Sequence, residues 1–139
     1  MSKTASEIQG DVYELLRESD FARMLTGGVY RAGFRPRDSK LEDAVVIFTT
    51  GMVGDIESGV VTINVFCPDV DPYGNGVLVC DGERIAALEG GAARWVESLT
   101  ADKSNYLFRL KETIHTTEDP DINQHFVVVK LAYKYQSTN

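Results

Sequence analysis

The residues with the chemistry to hold a metal or drive a reaction are few and scattered. Asp69-Val-Asp71-Pro-Tyr-Gly74 has acids at the first and third positions of a calcium loop and glycine at the sixth. Such a loop also needs an oxygen ligand at its fifth position and a bidentate Glu at its twelfth, where this chain has Tyr73 and Cys80. The segment reads as an Asp-Pro-Gly surface turn. His115 and His125, the only histidines, fall near the ends of one predicted hairpin, with Glu112 and Glu118 close by in sequence. Zinc takes three or four ligands from a preorganised set, so two histidines at a wet hairpin end read as surface residues and no metal is expected. Cys67 and Cys80 form no CxxC pair, and each flanks a turn-rich loop, which is the pattern of inert thiols, buried or half-buried.

Catalytic motifs fare no better. Gly27-Gly28…Gly33 lacks the lysine and the strand-to-helix setting of a phosphate loop, and Gly74-Asn-Gly76 precedes no Lys-Ser/Thr pair. There is no GxSxG nucleophile elbow. The acids Asp55 and Glu57, and Glu118, Asp119 and Asp121, sit in predicted connections, where carboxylates are solvated and keep their ordinary acidity. Neither catalysis nor a cofactor is expected, because no constellation supplies a nucleophile, a base and an electrophilic site together.

Composition narrows the partners. Lys and Arg number 14 against 21 Asp and Glu, a formal net charge of −7 over 139 residues. That balance argues against general binding to nucleic acid or anionic membrane, since both need surplus positive charge. Hydrophobic residues at 43% and charged residues at 25% are the proportions of a folded protein, and the length suits a single domain spanning 1–139. No run approaches the roughly 18 apolar residues of a spanning helix. The start, MSKTASEIQG, has no apolar stretch like that of a secretory signal, so an intracellular site with reduced thiols is the expectation.

The elements follow from periodicity. Ile8, Val12, Leu15 and Leu16 make one apolar stripe and predict a helix over Glu7 to Glu18, with Thr4 or Ser6 as its cap. Ser19 opens a second short turn through Phe21, Met24 and Leu25, which Gly27-Gly28 ends as a left-handed cap. Val29-Tyr30 is a short strand. Ala44 to Thr50 and Gly59 to Cys67 form an antiparallel hairpin, joined through Gly51 to Ser58. After the turn-rich Pro68 to Gly76, Asp81 caps a helix over Gly82 to Leu99 with Ile85, Leu88, Ala92, Trp95, Val96 and Leu99 on one face. Gly90-Gly91 inside it signals a close contact or a kink. Two alternating strands close the chain, one around Tyr106 to Lys111 and one around Phe126 to Tyr135. The order predicts an α+β fold: one antiparallel sheet of about four to five strands with two main helices packed on one face.

One segment stands out by charge. Arg31, Arg35, Arg37 and Lys40 lie within ten residues of an acidic chain, interleaved with Tyr30, Phe34 and Pro36. Arginine and aromatic residues are enriched in interfaces, so residues 31–41 read as an extended docking arm with Arg31, Phe34, Arg35, Arg37 and Lys40 as its interaction residues. The bland alternative is a solvated loop.

Several of these stretches together resemble the small tail-completion proteins of long-tailed bacteriophages (head–tail joining and tail-terminator-like proteins, often prophage-encoded). They are Asp11-Val-Tyr-Glu-Leu-Leu16, Leu25…Gly28-Val-Tyr30, Arg35-Pro36, Glu42-Asp43-Ala-Val-Val46, the strand Val60 to Phe66 before Pro68-Asp69, and the helix Ile85 to Leu99 before a closing strand pair. The resemblance spans roughly Ile8 to Tyr135, through short hydrophobic motifs, and it carries no catalytic residues. It implies a virion component assembled in the bacterial cytoplasm: a ring, commonly six-fold, whose partners are its own copies and tail-tube or connector proteins. In such a ring a lumen lined with carboxylates would let DNA slide. Two other classes stay open. A protein-binding module would be a stable monomer with an exposed sheet edge or groove, and a small enzyme would gather His115 or His125 with carboxylates in a deep pocket.

Overall fold

A computed structural model describes residues 2–99 and 105–136. Its frame is two thirteen-residue strands rich in β-branched side chains, β3 (Ile56–Pro68) and β6 (Gln124–Gln136). They pair antiparallel along their whole length, from Ile56 opposite Gln136 to Pro68 opposite Gln124. Each presents an apolar row to one side: Val61, Ile63 and Val65 on β3, and Val127, Val129 and Leu131 on β6, all fully buried. Such residues suit a pleated surface because branching at Cβ fits a strand better than a helix.

The sheet grows outward on both sides. β2 (Ala44–Met52) lies antiparallel to β3, with a bulge at Thr49, between Phe48 and Thr50. β1 (Val29–Arg31) pairs with Ala44–Val46 of β2 and runs parallel to it. On the far side, β4 (Tyr106–Leu110) follows Leu131–Tyr135 of β6, and β5 (His115–Asp119) follows Gln124–Val128 along the same edge. The order is β1-β2-β3-β6-β4, with β5 also on β6.

The class is α+β, as expected, but three details differ. Among the described residues there are six strands rather than four or five, because His115-Thr-Thr-Glu-Asp119 pairs with β6 despite having no apolar period of its own. The sheet is mixed rather than purely antiparallel, because residues 32–43 carry the chain back to the end of the sheet where β1 began. The β2–β3 hairpin is also longer than expected. Met52 and Ile56 belong to its strands, leaving only residues 53–55 as the turn.

Among the described residues three helices cover one face: the two main ones expected, and a short one where the turn opened by Ser19 was expected. α1 (Ala5–Arg17) begins at Thr4, whose hydroxyl accepts the Glu7 N–H while the Glu7 carboxylate accepts the Thr4 N–H. α2 (Asp20–Met24) is capped by Ser19 and α3 (Gly82–Ser98) by Asp81. The core lies between them and the sheet: Val12 and Leu16 of α1, Phe21 of α2, and Leu88, Ala92, Trp95 and Val96 of α3 meet Val46, Ile63 and Val129. Gly91 is the close contact its position suggested. A Cβ there would meet the Met24 sulfur at 2.6 Å and the Phe21 ring at 2.8 Å.

Gly27-Gly28 is not a left-handed cap. The glycines with positive φ are Gly33, Gly74 and Gly76. Gly27 instead makes room, since a Cβ on it would sit 1.9 Å from the Asp43 carboxylate.

Candidate assembly surface

Glu42 and Asp43 enter β2 with almost no contact with solvent. Two buried acids at the head of an apolar strand must be paired, and their partners fix the course of residues 31–41. The Asp43 carboxylate accepts the Gly28 N–H at 2.9 Å, the Arg35 Nε–H at 2.8 Å and the Ser39 hydroxyl. Arg35 Nη2 also donates to Gln124 Oε1 at 2.9 Å, and the guanidinium lies 4.0 Å from the centre of the Phe66 ring. Gln124 in turn donates to the Ser39 carbonyl. Glu42 accepts two bonds from Arg84 of α3, at 2.6 and 2.8 Å, and one from the Thr26 N–H. Burial alone would raise the pKa of Asp43. The Ser39 hydroxyl, the Gly28 N–H and Arg35 outweigh it and hold the carboxyl below its usual range.

This network changes the reading of the arm. Arg35 is turned inward, with its side chain 12% exposed, and makes its contacts within the subunit. The segment is a strap across one end of the sheet, with Arg35 over Phe66, whose ring lies 5.3 Å from that of Phe126. Arg31 stacks on Tyr13 at 5.2 Å. Phe34, Arg37 and Lys40 are exposed and remain available to a partner.

The sheet face away from the helices holds a feature that composition concealed. Arg109 lies opposite Ala132, and Leu107 opposite Lys134, so Arg109 has Lys130 and Lys134 as diagonal neighbours on one face. Lys111 continues the row. Four cations thus gather on the outer half of an acidic protein's sheet, and Glu112 pairs with Lys130 at 3.3 Å. The signal was present as cations at even spacings, 109 and 111 at the end of one strand and 130 and 134 on the next. Only the pairing register brings them together. An open groove of about 720 Å³ crosses this region from Met52 to Leu107 and Lys111 over a floor that includes Ser58, Val60 and Ala132.

The β2 margin of that groove is a strand edge that no described strand covers beyond Val46. β1 covers β2 only from Ala44 to Val46, and the last bond beyond it is from the Ala32 N–H to the Val46 carbonyl. Among the described residues no strand pairs with the outer edge of β2 from Ile47 to Met52, or with that of β4. No charged residue occurs from Ala44 to Gly54. The hairpin end adds exposed apolar side chains: Met52 is 73% exposed, Val53 78% and Ile56 60%, and Leu107 on the opposite edge is 73% exposed.

The remaining chemical candidates stay apart. His115 stands opposite Val128, with its Nδ1 3.1 Å from the Thr113 carbonyl, whereas His125 lies opposite Glu118 and Cys67 and bridges to Asp69 at 2.6 Å. The two rings do not meet, and His125 is a half-buried structural residue rather than a surface one. Cys67 is buried, which pushes its thiol up to about 12, and Cys80 is exposed, with a thiol raised by partial burial and by Asp69. Asp71 caps the Asn75 and Gly76 N–H groups of its own turn. Glu57 departs from the expectation of a solvated acid. It is 3% exposed, and its Oε2 has no hydrogen-bond partner among the described residues.

No protein-family model and no curated protein matches the chain. Among solved structures, a protein known only by a serial designation aligns over 96% of this chain and 97% of that chain, at 20% identity and a TM-score of 0.42.

Proposed function

We propose that this chain is a structural subunit of a phage or prophage particle that works by assembling into a ring at the head–tail junction or the tail end. The observation that carries the assembly reading is the outer edge of β2. Strand edges in proteins that stay apart are guarded by charge, proline or a covering segment, because unpaired N–H and C=O groups template further pairing. From Ile47 to Met52 this edge has one bulge at Thr49, no charge and no proline, and it leads into the exposed Met52, Val53 and Ile56. An edge left in that state suits a surface that is covered in the working form. The particle setting comes from the resemblance of the Gly28-Val-Tyr30, Arg35-Pro36 and Glu42-Asp43 stretches to tail-completion proteins. Those stretches meet around Asp43, so what they share physically is a folding knot that leaves the far half of the sheet free for contacts.

The tests are the mass of the purified chain by light scattering over a wide concentration range, and its binding to a tail-tube or connector protein of the same particle. A closed oligomer that binds one of them supports the reading. A monomer at every concentration, with no such binding, overturns it.

A further inference from the structure

Large apolar side chains left exposed on a folded chain mark contact surfaces where they cluster. Here they gather toward the two ends of the paired strands β3 and β6. At one end Met52 and Leu107 line the open groove, with Val53 and Ile56 beside it in the hairpin. At the other end the turn-rich segment after Pro68 folds into a finger. Val70 and Val79 exchange two backbone bonds at 2.8 Å, and the Asp71 carboxylate accepts the Asn75 and Gly76 N–H groups of the tip. Gly74 and Gly76 supply the positive φ that so tight a tip requires. The finger is therefore a built shape, yet it points apolar side chains outward. Tyr73 is 81% exposed, and Val77-Leu78-Val79-Cys80 is a run of four exposed apolar residues, a pattern folded surfaces carry where something covers it.

The two features are opposite in form and in charge. The groove is concave and lined by Arg109, Lys111 and Lys134, with Lys130 already paired to Glu112 and Asp55 in the adjoining turn. The finger is convex, and from Pro68 to Asp81 its charged residues are Asp69, Asp71 and Asp81. The strap cations Arg37 and Lys40 stand at the finger's end of the sheet too, so the acidity belongs to the finger and not to that end as a whole. Ser58 in the groove and Pro68 at the root of the finger lie roughly 30 Å apart along β3, and the finger reaches about 15 Å. It cannot fill the groove of its own subunit. We propose that the finger of one copy, led by Tyr73 and Leu78, seats in the cationic groove of the next, head to tail. This rests on the ring reading above and specifies its contact. A contact between two different patches passes from subunit to subunit and closes where the rotation allows. It covers both exposed apolar patches at once and lies against Thr50, Gly51 and Met52, at the end of the uncovered β2 edge.

The experiment separates the two halves of the contact. One variant, Tyr73→Ser with Leu78→Ser, loses the apolar tip of the finger and keeps the groove. The other, Leu107→Ser with Lys134→Glu, loses the groove and keeps the finger. All four side chains are exposed, so both variants should retain the parent circular dichroism spectrum; if one does not, Tyr73→Ser or Lys134→Glu alone takes its place. Each variant by itself should weaken self-association at least about tenfold by light scattering. Mixed in equal amounts, they hold one intact finger and one intact groove per pair, and should form a two-subunit species and nothing larger. If the parent assembles and either variant assembles equally well, or if the mixture stays monomeric, this contact is wrong while the ring reading stands. A parent that stops at two subunits and passes the mixing test keeps the contact and overturns the ring. A parent that is monomeric at every concentration overturns both.

Discussion

Arg35 offers the sharpest test of the strap, because the sequence marks it as a docking residue and the structure as an internal tie. Replacing it with alanine leaves Asp43, which is 0% exposed, without its cation, and removes the bond to Gln124 and the stacking on Phe66. Removing one partner of a buried ion pair costs about 3–5 kcal/mol. Asp43 keeps the Gly28 N–H and the Ser39 hydroxyl, so the lower end applies, about 3 kcal/mol. For a chain of this length that lowers the melting temperature by roughly 10 °C, a large part of the stability of an ordinary domain. Arg35→Lys keeps the charge but loses the planar fork, and should fall between the two. Arg37→Ala, on the exposed side of the strap, should shift stability by less than about 0.5 kcal/mol. Thermal melts followed by circular dichroism, paired with urea titrations, measure all three. If Arg35→Ala melts within about 2 °C of the parent, or Arg37→Ala costs as much as Arg35→Ala, the network around Asp43 does not hold the fold as described.

Three further outcomes follow from the same geometry. Gly27→Ala drives a methyl to 1.9 Å from Asp43 Oδ1 and 2.6 Å from the Glu42 carbonyl, and should destabilise by about 1–3 kcal/mol in urea titration, whereas Gly74→Ala faces open space and pays only for its positive φ. Because the folded-state pKa of Asp43 lies below its unfolded value near 3.8, its contribution is present above about pH 4 and disappears as pH falls through the lower folded value. Stability measured from pH 6 down to 2 should therefore drop on that limb, and Asp43→Asn should flatten it. In the native protein at neutral pH a thiol reagent should label Cys80 slowly and Cys67 not at all, with both reacting in denaturant; rapid labelling of two thiols would contradict the burial of Cys67.

The elements with strong local signals were legible in the sequence. The apolar stripe of α3, the caps Thr4, Ser19 and Asp81, and the alternation of β3 and β6 each depend on neighbours within a few residues, and the structure has them near the predicted bounds. What was not legible depends on distant pairing. β5 has no apolar residue from Thr116 to Asp119 and is a strand only because β6 offers it hydrogen bonds. Arg35 looked like surface charge because nothing local says that Glu42 and Asp43 are buried, although two acids immediately before Ala-Val-Val were a sign that cations must approach them. The cluster of Arg109, Lys111, Lys130 and Lys134 is spread over the end of β4 and β6 and appears only with their register.

Amide hydrogen exchange, read segment by segment at several protein concentrations, tests the assembly account most directly. Half of the N–H groups of β2 from Ile47 to Met52 point away from β3, and among the described residues no strand pairs with them. The account predicts that they exchange quickly in dilute protein and become protected as concentration rises, in step with the increase in mass. Fast exchange along Ile47–Met52 at every concentration, alongside an unchanging monomer mass, would contradict it.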